Sequence, residues 1–161
     1  MKKALLSILC IIFLFSCKKE KVDQPIIPED TTPHISFDLG KNHLYYSGGV
    51  DKVDGGKVVT PTSIFYLFVA FQNHTQVAAL FPSTTGDTLK VKTYHITSGG
   101  TMFAFNGLLY FIRNNLDYVD LVVTSYKEGI VNATFSGKVS DQESEQTIIT
   151  NGIIKNVKIR Y

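Results

Sequence analysis

Residues Asp117–Tyr161 read DYVDLVVTSYKEGIVNATFSGKVSDQESEQTIITNGIIKNVKIRY, and the period of this stretch decides the fold class. Tyr118, Asp120, Val122 and Thr124 alternate with Val119, Leu121, Val123 and Ser125; further on, Val131, Ala133 and Phe135 alternate with Asn132, Thr134 and Ser136. A period of two places successive side chains on opposite faces of a sheet, so one face of each segment is expected on a core and the other in water. Lys127-Glu128-Gly129 between them suits a three-residue hairpin connection with Gly129 left-handed. Asn151-Gly152, between Gln146–Thr150 and Ile153–Ile159, reads as a type I′ hairpin turn, because both central residues of that turn need positive φ. Asn106-Gly107 repeats the signal between Thr101–Phe105 and Leu108–Ile112, although Leu108–Asn115 also suits a short helix and length does not decide.

Upstream, Ile35–Leu39, Leu44–Ser47, Lys57–Thr60, Ile64–Gln72, Gln76–Phe81 and Thr88–His95 are further strand candidates. Between them lie the glycine-centred segments Ser47-Gly48-Gly49, Asp54-Gly55-Gly56 and Thr85-Gly86-Asp87, read as turns. Phe65–Phe71 is apolar on both faces, as in a strand covered on each side or the wall of a closed barrel. Nine or ten short strands so spaced predict an all-β fold, an antiparallel β-sandwich or a calycin-like barrel, in a single domain over residues 34–161.

The front of the chain is different in kind. Met1-Lys2-Lys3 is followed by an apolar run from Ala4 to Phe15, the charge and length of an export signal and too short for a spanning helix of roughly 20 apolar residues. Leu14-Phe15-Ser16-Cys17 resembles a lipobox, the site where a bacterial lipoprotein signal is cut and the new amino-terminal cysteine takes a diacylglycerol. Cys10 follows the bulky Leu9, whereas Cys17 follows the small Ser16, so the expected acylation site is Cys17 and residues 1–16 are the removed signal peptide. Processing at that point takes both cysteines out of the folding problem, leaving no disulfide or thiolate metal site. Sixteen basic residues less Lys2 and Lys3 leaves fourteen, against fourteen acidic ones. A neutral chain lacks the electrostatic footprint that phosphate backbones require, so nucleic acid is not an expected partner.

Residues 17–33 form the lipidated cysteine and a tether: KKEKVDQPIIPEDTTP from Lys18 to Pro33 holds three of the five prolines and little to bury. Extended at about 3.1 Å per residue it reaches roughly 50 Å, enough to clear lipid headgroups. Lys18 is not the aspartate associated with inner-membrane retention, so the expected location is the cell envelope, lipid-anchored at the outer membrane, with the periplasmic and surface faces both open.

Thr124-Ser125-Tyr126, Ala133-Thr134-Phe135-Ser136-Gly137 and Ile149-Thr150-Asn151-Gly152 resemble, in order, the ITSY, GTFSG and ITNG elements in the carboxy-terminal strands of uncharacterised lipoproteins of the Bacteroidota. Ala133 stands where that pattern has its first glycine, and Ile154 where an aromatic is common. The resemblance implies an envelope lipoprotein of β architecture and supplies no mechanism. Asp30-Thr31-Thr32 and Asp87-Thr88-Leu89 are similar to the O-glycosylation tripeptides of exported proteins of that group.

Catalytic and metal signatures are missing from the sequence: it contains no G-x-S-x-G, H-E-x-x-H, G-x-x-x-x-G-K or G-x-G-x-x-G. His34, His43, His74 and His95 are scattered, and Asp51 with Asp54 lacks the alternating acids and closing glutamate of a calcium loop. Asp141, Glu143 and Glu145 read as a solvated loop rather than a glycosidase pair. Tyr45, Tyr46, Tyr94, Tyr110, Tyr118 and Tyr126 are the available sugar platforms in a chain without tryptophan, with core packing their default role. The expectation is therefore no enzyme and no cofactor, but a noncatalytic binding or structural module of the envelope, anchored through Cys17, with an envelope protein or glycan as partner. The alternative is a calycin-like carrier with a cavity lined by Phe65, Leu67, Phe103 and Phe105; an envelope hydrolase ranks third. A transmembrane barrel is a further alternative, on terminal Tyr161 with Ile159 and Val157 at alternate positions.

Overall fold

The computed structural model describes residues 30–61, 64–72, 76–80, 83–84, 88–98 and 101–161. Cys17, His74, Phe81 and the Thr85-Gly86-Asp87 segment lie outside the described residues. The β domain is one compact unit, Thr31–Tyr161. Its strands are β1 (His34–Leu39), β2 (Asn42–Ser47), β3 (Lys52–Val59), β4 (Ile64–Gln72), β5 (Gln76–Leu80), β6 (Ser83–Thr84), β7 (Thr93–Ile96), β8 (Met102–Phe105), β9 (Leu108–Phe111), β10 (Tyr118–Lys127), β11 (Ile130–Ser140) and β12 (Gln146–Arg160). Among the described residues there is no helix, and Leu108–Phe111 is a strand.

The sheet is antiparallel except at one junction and curls until its pairings meet. β11 and β12 form its spine, paired from Ile130↔Lys158 to Ser140↔Gln146. The free edge of β12 takes β1 along Ile149–Lys155 and then, in parallel, β3 at Ile159↔Gly55 and Arg160↔Gly56. The other edge of β11 takes β10 as far as Lys138 and then β9 at Ser140↔Phe111. Because β3, β4, β5, β8 and β9 pair in sequence, hydrogen bonding runs in a circuit through β12, β3, β4, β5, β8, β9 and β11. The outer pairs β1–β2 and β10–β7 complete a six-stranded wall, β2-β1-β12-β11-β10-β7, opposite the five-stranded wall β3-β4-β5-β8-β9. Long strands that serve two walls need extra twist, which bulges supply. Register breaks at Ser36/Asp38 opposite Thr150–Ile153, at Val131/Ala133 and at Phe135/Gly137 mark them.

Both walls contribute to the core. Phe37 of β1 packs its ring 5.0 Å from Phe103 of β8 and 5.5 Å from Phe135 of β11. Ile35, Leu39, Leu121, Val119, Ile149 and Ile154 from the six-stranded wall and Tyr66 and Phe68 from the other are fully buried around them. The alternation expected in the carboxy-terminal strands is present: Val119, Leu121 and Val123 are buried, as are Val131, Ala133 and Phe135. Val157 and Ile159 are core residues and Tyr161 is exposed, so the chain end packs into a globule and does not present the apolar outside of a spanning strand.

Several local expectations are corrected. Asn151-Gly152 is no hairpin turn; it lies inside the continuous β12 as a bulge, with Asn151 at φ 52°. An asparagine in the left-handed region suits a bulge as well as a turn, and here β1 and β11 pair on both sides, before and after the dipeptide, which holds the strand straight through. Asp54-Gly55-Gly56 is likewise interior to β3. A Cβ on Gly55 would lie 2.8 Å from Ile159 Cδ1 and 2.9 Å from the Lys158 carbonyl, so glycine there permits the close approach of β12. Lys127 pairs with Ile130, which makes the connection a two-residue turn of Glu128 and Gly129, φ 54° and 79°, instead of a three-residue one. Asn106 and Gly107, φ 50° and 78°, form the expected two-residue hairpin. The strand expected over Thr88–His95 starts only at Thr93 and runs to Ile96.

Candidate functional site

The outward face of the six-stranded wall carries a polar row that crosses every strand. In an antiparallel pair, opposed residues share a face. Asp38 on β1 lies opposite His43 on β2 and Thr150 on β12; on the other side, Asp120 of β10 lies opposite Ser136 of β11 and His95 of β7. The row therefore reads His43, Asp38, Thr150-Asn151, Ser136, Asp120, His95.

Each end of the row is a histidine–aspartate pair. His43 Nδ1 is 2.6 Å from Asp38 Oδ1, and His95 Nδ1 is 2.6 Å from Asp120 Oδ1. A carboxylate only accepts, so both rings carry a proton on Nδ1, on side chains that are 64% and 59% exposed. Asp38 Oδ2 accepts a further bond of 2.6 Å from the Asn151 side-chain amide, which the bulge turns toward it. The Asn151 bond, followed by that of His43, holds the Asp38 carboxyl below its ordinary range against a smaller opposing effect of desolvation. Between the two pairs lies a shallow groove of about 380 Å³ lined by Asp120, Val122, Thr134, Ser136, Asn151 and Ile153, with Phe135 and Gly152 as its floor. Gly152 has no room for a side chain: a Cβ would sit 2.3 Å from the Phe135 carbonyl oxygen. Tyr45, 48% exposed, stands on the same face beside His43, its ring 5.4 Å from His34, and the half-buried Tyr118 lies 5.5 Å from the His95 ring.

The order of groups limits the chemistry. A hydrolytic triad needs histidine between the nucleophile and the acid, whereas Asp120 stands between His95 and Ser136. Two strand spacings put that hydroxyl roughly 10 Å from the imidazole. Asp38 and Asp120 are three spacings apart, roughly 14 Å, wider than the carboxylate pairs of glycosidases. What the row offers is an array of planar acceptors and donors, carboxylate, carboxamide and imidazole, interleaved with hydroxyls and flanked by two tyrosine rings. Such an array suits vicinal hydroxyls.

The other candidate residues are structural. Asp51 Oδ2 accepts the Ser47 amide at 2.9 Å; Asp54 Oδ1 accepts the Gly55 amide at 2.9 Å and Arg160 Nε at 3.1 Å. Asp141 Oδ1 accepts the amides of Glu143 and Glu145, so that loop is folded around its first carboxylate. Among the described residues no three metal-ligating groups come together. Tyr46 and Tyr94 are core residues; the Tyr46 hydroxyl is pushed up to about 12 by burial and by the charge of Asp51. The carrier's expected lining does not converge: Phe103 is a core residue and Phe105 packs against the core, while Phe65 and Leu67 lie on the opposite side of β4 from the buried Tyr66 and Phe68. The polar row itself escaped the sequence reading. Its one local signal was the two-residue Gly40-Lys41 link, which sets Asp38 against His43 once β1 and β2 are paired.

Comparison with protein-family models, with curated proteins and with solved structures finds no match for this chain.

Proposed function

We propose that this chain is an exported lipoprotein, acylated on Cys17 and tethered to the envelope, whose β unit is a noncatalytic binding module for a glycan. The observation that carries the ligand class is the row His43-Asp38-Asn151-Ser136-Asp120-His95 with its groove. Its imidazole, carboxylate and carboxamide groups are already held in place by hydrogen bonds among themselves, so little of their side-chain freedom is lost when a sugar replaces water. The acylation reading rests on the leader and on Leu14-Phe15-Ser16-Cys17, and the compact unit begins only fourteen positions beyond that cysteine, at Thr31.

Calorimetric titration of the mature protein with neutral oligosaccharides tests the ligand class. Ser136→Arg places a long cation over the groove beside Asp120 at an exposed strand position, where substitution changes stability by only about 0.5 kcal/mol. Binding to the wild type that falls at least tenfold in this variant supports the site; binding that is unchanged refutes it. Mass spectrometry of the amino-terminal peptide from native cells tests the anchor, and a bare thiol on Cys17 or an intact leader refutes it.

A further inference from the structure

The two walls have opposite outward faces. On the five-stranded wall, register aligns Lys52 with Phe71 and Asp54 with Val69 on β3 and β4, and Ala104 with Leu109 and Met102 with Phe111 on β8 and β9. Two further pairs on β3 and β4 add Gly56 with Leu67 and Val58 with Phe65. Val58, Phe71 and Met102 are 49%, 37% and 39% exposed, and Phe65, Leu67, Val69, Leu109 and Phe111 are half-buried. A solvated sheet face alternates to polar residues on its outer side, as His43, Asp38, Thr134, Ser136, Asp120 and His95 do among the exposed Val122, Ile148 and Ile153 of the six-stranded wall. Here both sides of β4, β8 and β9 are apolar, and exposed apolar area of this kind marks a surface that is covered in use.

Building on the acylation reading above, we infer that this face rests on the lipid surface, so that the anchored domain lies on its five-stranded wall and turns the polar row away from the bilayer. The length of chain ahead of the unit supports a lipid occupant. Cys17 to Thr31 spans roughly 40 Å when extended, more than the diameter of a domain this size, so the wall can reach the bilayer whichever way the tether leaves. A tethered surface acts at millimolar effective concentration, and weak apolar contacts then suffice. Charge agrees with this. Lys52 and Arg113 sit at opposite corners of the patch, their cationic groups 6.0 Å from the Phe71 ring and 5.9 Å from the Phe111 ring, where headgroup phosphates would meet them. The face lies on the membrane and does not cross it. β3 and β4 are eight and nine residues long but β8 and β9 only four, against the 9–11 of a spanning strand, and the inner side of this wall is packed with Tyr66, Phe68 and Phe103 where a spanning barrel is polar.

The chain has no tryptophan, so Met102→Trp introduces a single reporter on the patch and Thr134→Trp one on the polar face. The acylated protein is reconstituted into phosphatidylethanolamine–phosphatidylglycerol vesicles containing brominated acyl chains. The expected result is a blue-shifted, strongly quenched emission at position 102 and an unshifted, unquenched one at position 134. Equal emission from both positions overturns the inference, as does a blue shift at position 102 that is already complete in detergent and tracks dimer formation in sedimentation, which would assign the face to a second copy. Should Met102→Trp fail to fold, Val58→Trp reads the same face. Acylation is read separately, from the mass of the amino-terminal peptide in the same preparation. As a control, the chain from residue 17 with Cys17→Ser should still bind these vesicles at millimolar lipid, and Lys52→Glu should weaken that binding several-fold. Retained binding of the unacylated chain with no lipid on native Cys17 would sink the anchor and leave the face standing.

Discussion

The Asn151 side-chain amide reaches Asp38 Oδ2 at 2.6 Å across 113 positions of sequence, and it does so because Asn151 sits at φ 52° in a bulge of β12. The bond joins the two ends of the domain's strand order and lowers the Asp38 carboxyl, with His43 adding to the effect. A carboxyl lowered in the folded state contributes stability that is present above its unfolded value and lost as pH falls through the folded one. Asn151→Gly keeps the left-handed backbone and removes the amide, so Asp38 should titrate closer to its ordinary range while the β12 pairing is retained. Carboxyl-carbon NMR titration measures the shift. An unchanged Asp38 would mean that His43 alone sets it.

Asp117 is the polar centre of the loop that carries the chain from β9 to β10. Burial pushes its carboxyl up, but the Arg113 and Asn114 amides at 3.0 and 3.1 Å, the Ser140 hydroxyl at 2.9 Å and the Gln146 amide at 3.2 Å together outweigh that and hold it below its ordinary value. Ser140 is fully buried at the single bridge between β9 and β11, so this cluster secures the place where the circuit of strands closes. Asp117→Ala leaves the buried Ser140 hydroxyl and three part-buried donors without this acceptor and should cost roughly 2–4 kcal/mol in urea unfolding. The wild-type contribution should fade as pH falls below the ordinary carboxylate range, so the gap between wild type and variant narrows in acid.

At the opposite corner the two hydroxyls of Tyr126 and Tyr161 lie 2.8 Å apart. That bond, then burial, pushes Tyr126 up to about 12. A group whose folded value is raised contributes stability that is complete below its unfolded value, near 10, and lost as pH climbs through the folded one. Tyr161→Phe should lower the Tyr126 value in an ultraviolet titration, and the variant should unfold at a less alkaline pH. Coincident titration curves for the two proteins would show that burial alone shifts Tyr126.

The alternation in Tyr118–Ser136 made the six-stranded wall legible, because a period of two allows only one set of residues inside. The same period says nothing about which strands join at the ends. Ser140↔Phe111 and Ile159↔Gly55 are contacts between distant segments with no local signature, and they decide that the sheet curls. Glycine signals misled in a consistent way. Asp54-Gly55-Gly56 and Asn151-Gly152 have the composition of turns, yet Gly55 and Gly152 stand where a neighbouring strand leaves no space for a Cβ, and turn and close approach favour the same residue for different reasons. The polar row was illegible because its members come from six strands and each alone is an ordinary exposed residue.

Gly137 is the sharpest case of that ambiguity and the easiest to test. Its φ is not left-handed, so no turn requires glycine there, but a Cβ at this position would lie 2.2 Å from the Tyr118 carbonyl oxygen and 2.8 Å from Val119 Cα. Those atoms belong to the backbone of β10 and cannot swing aside as a side chain does. Gly137→Ala must therefore push β10 off β11 between the Val119↔Gly137 pair and its neighbours, at the end of the spine nearest the Asp117 cluster. A backbone shift in a packed sheet costs about 1–3 kcal/mol, more than the small gain from restricting the unfolded chain. Hydrogen exchange should locate the damage: amides of Tyr118–Leu121 lose protection first, while those of the Lys127–Ile130 turn keep theirs. A variant as stable as wild type, with protection unchanged, would show that the two strands have slack the geometry denies them.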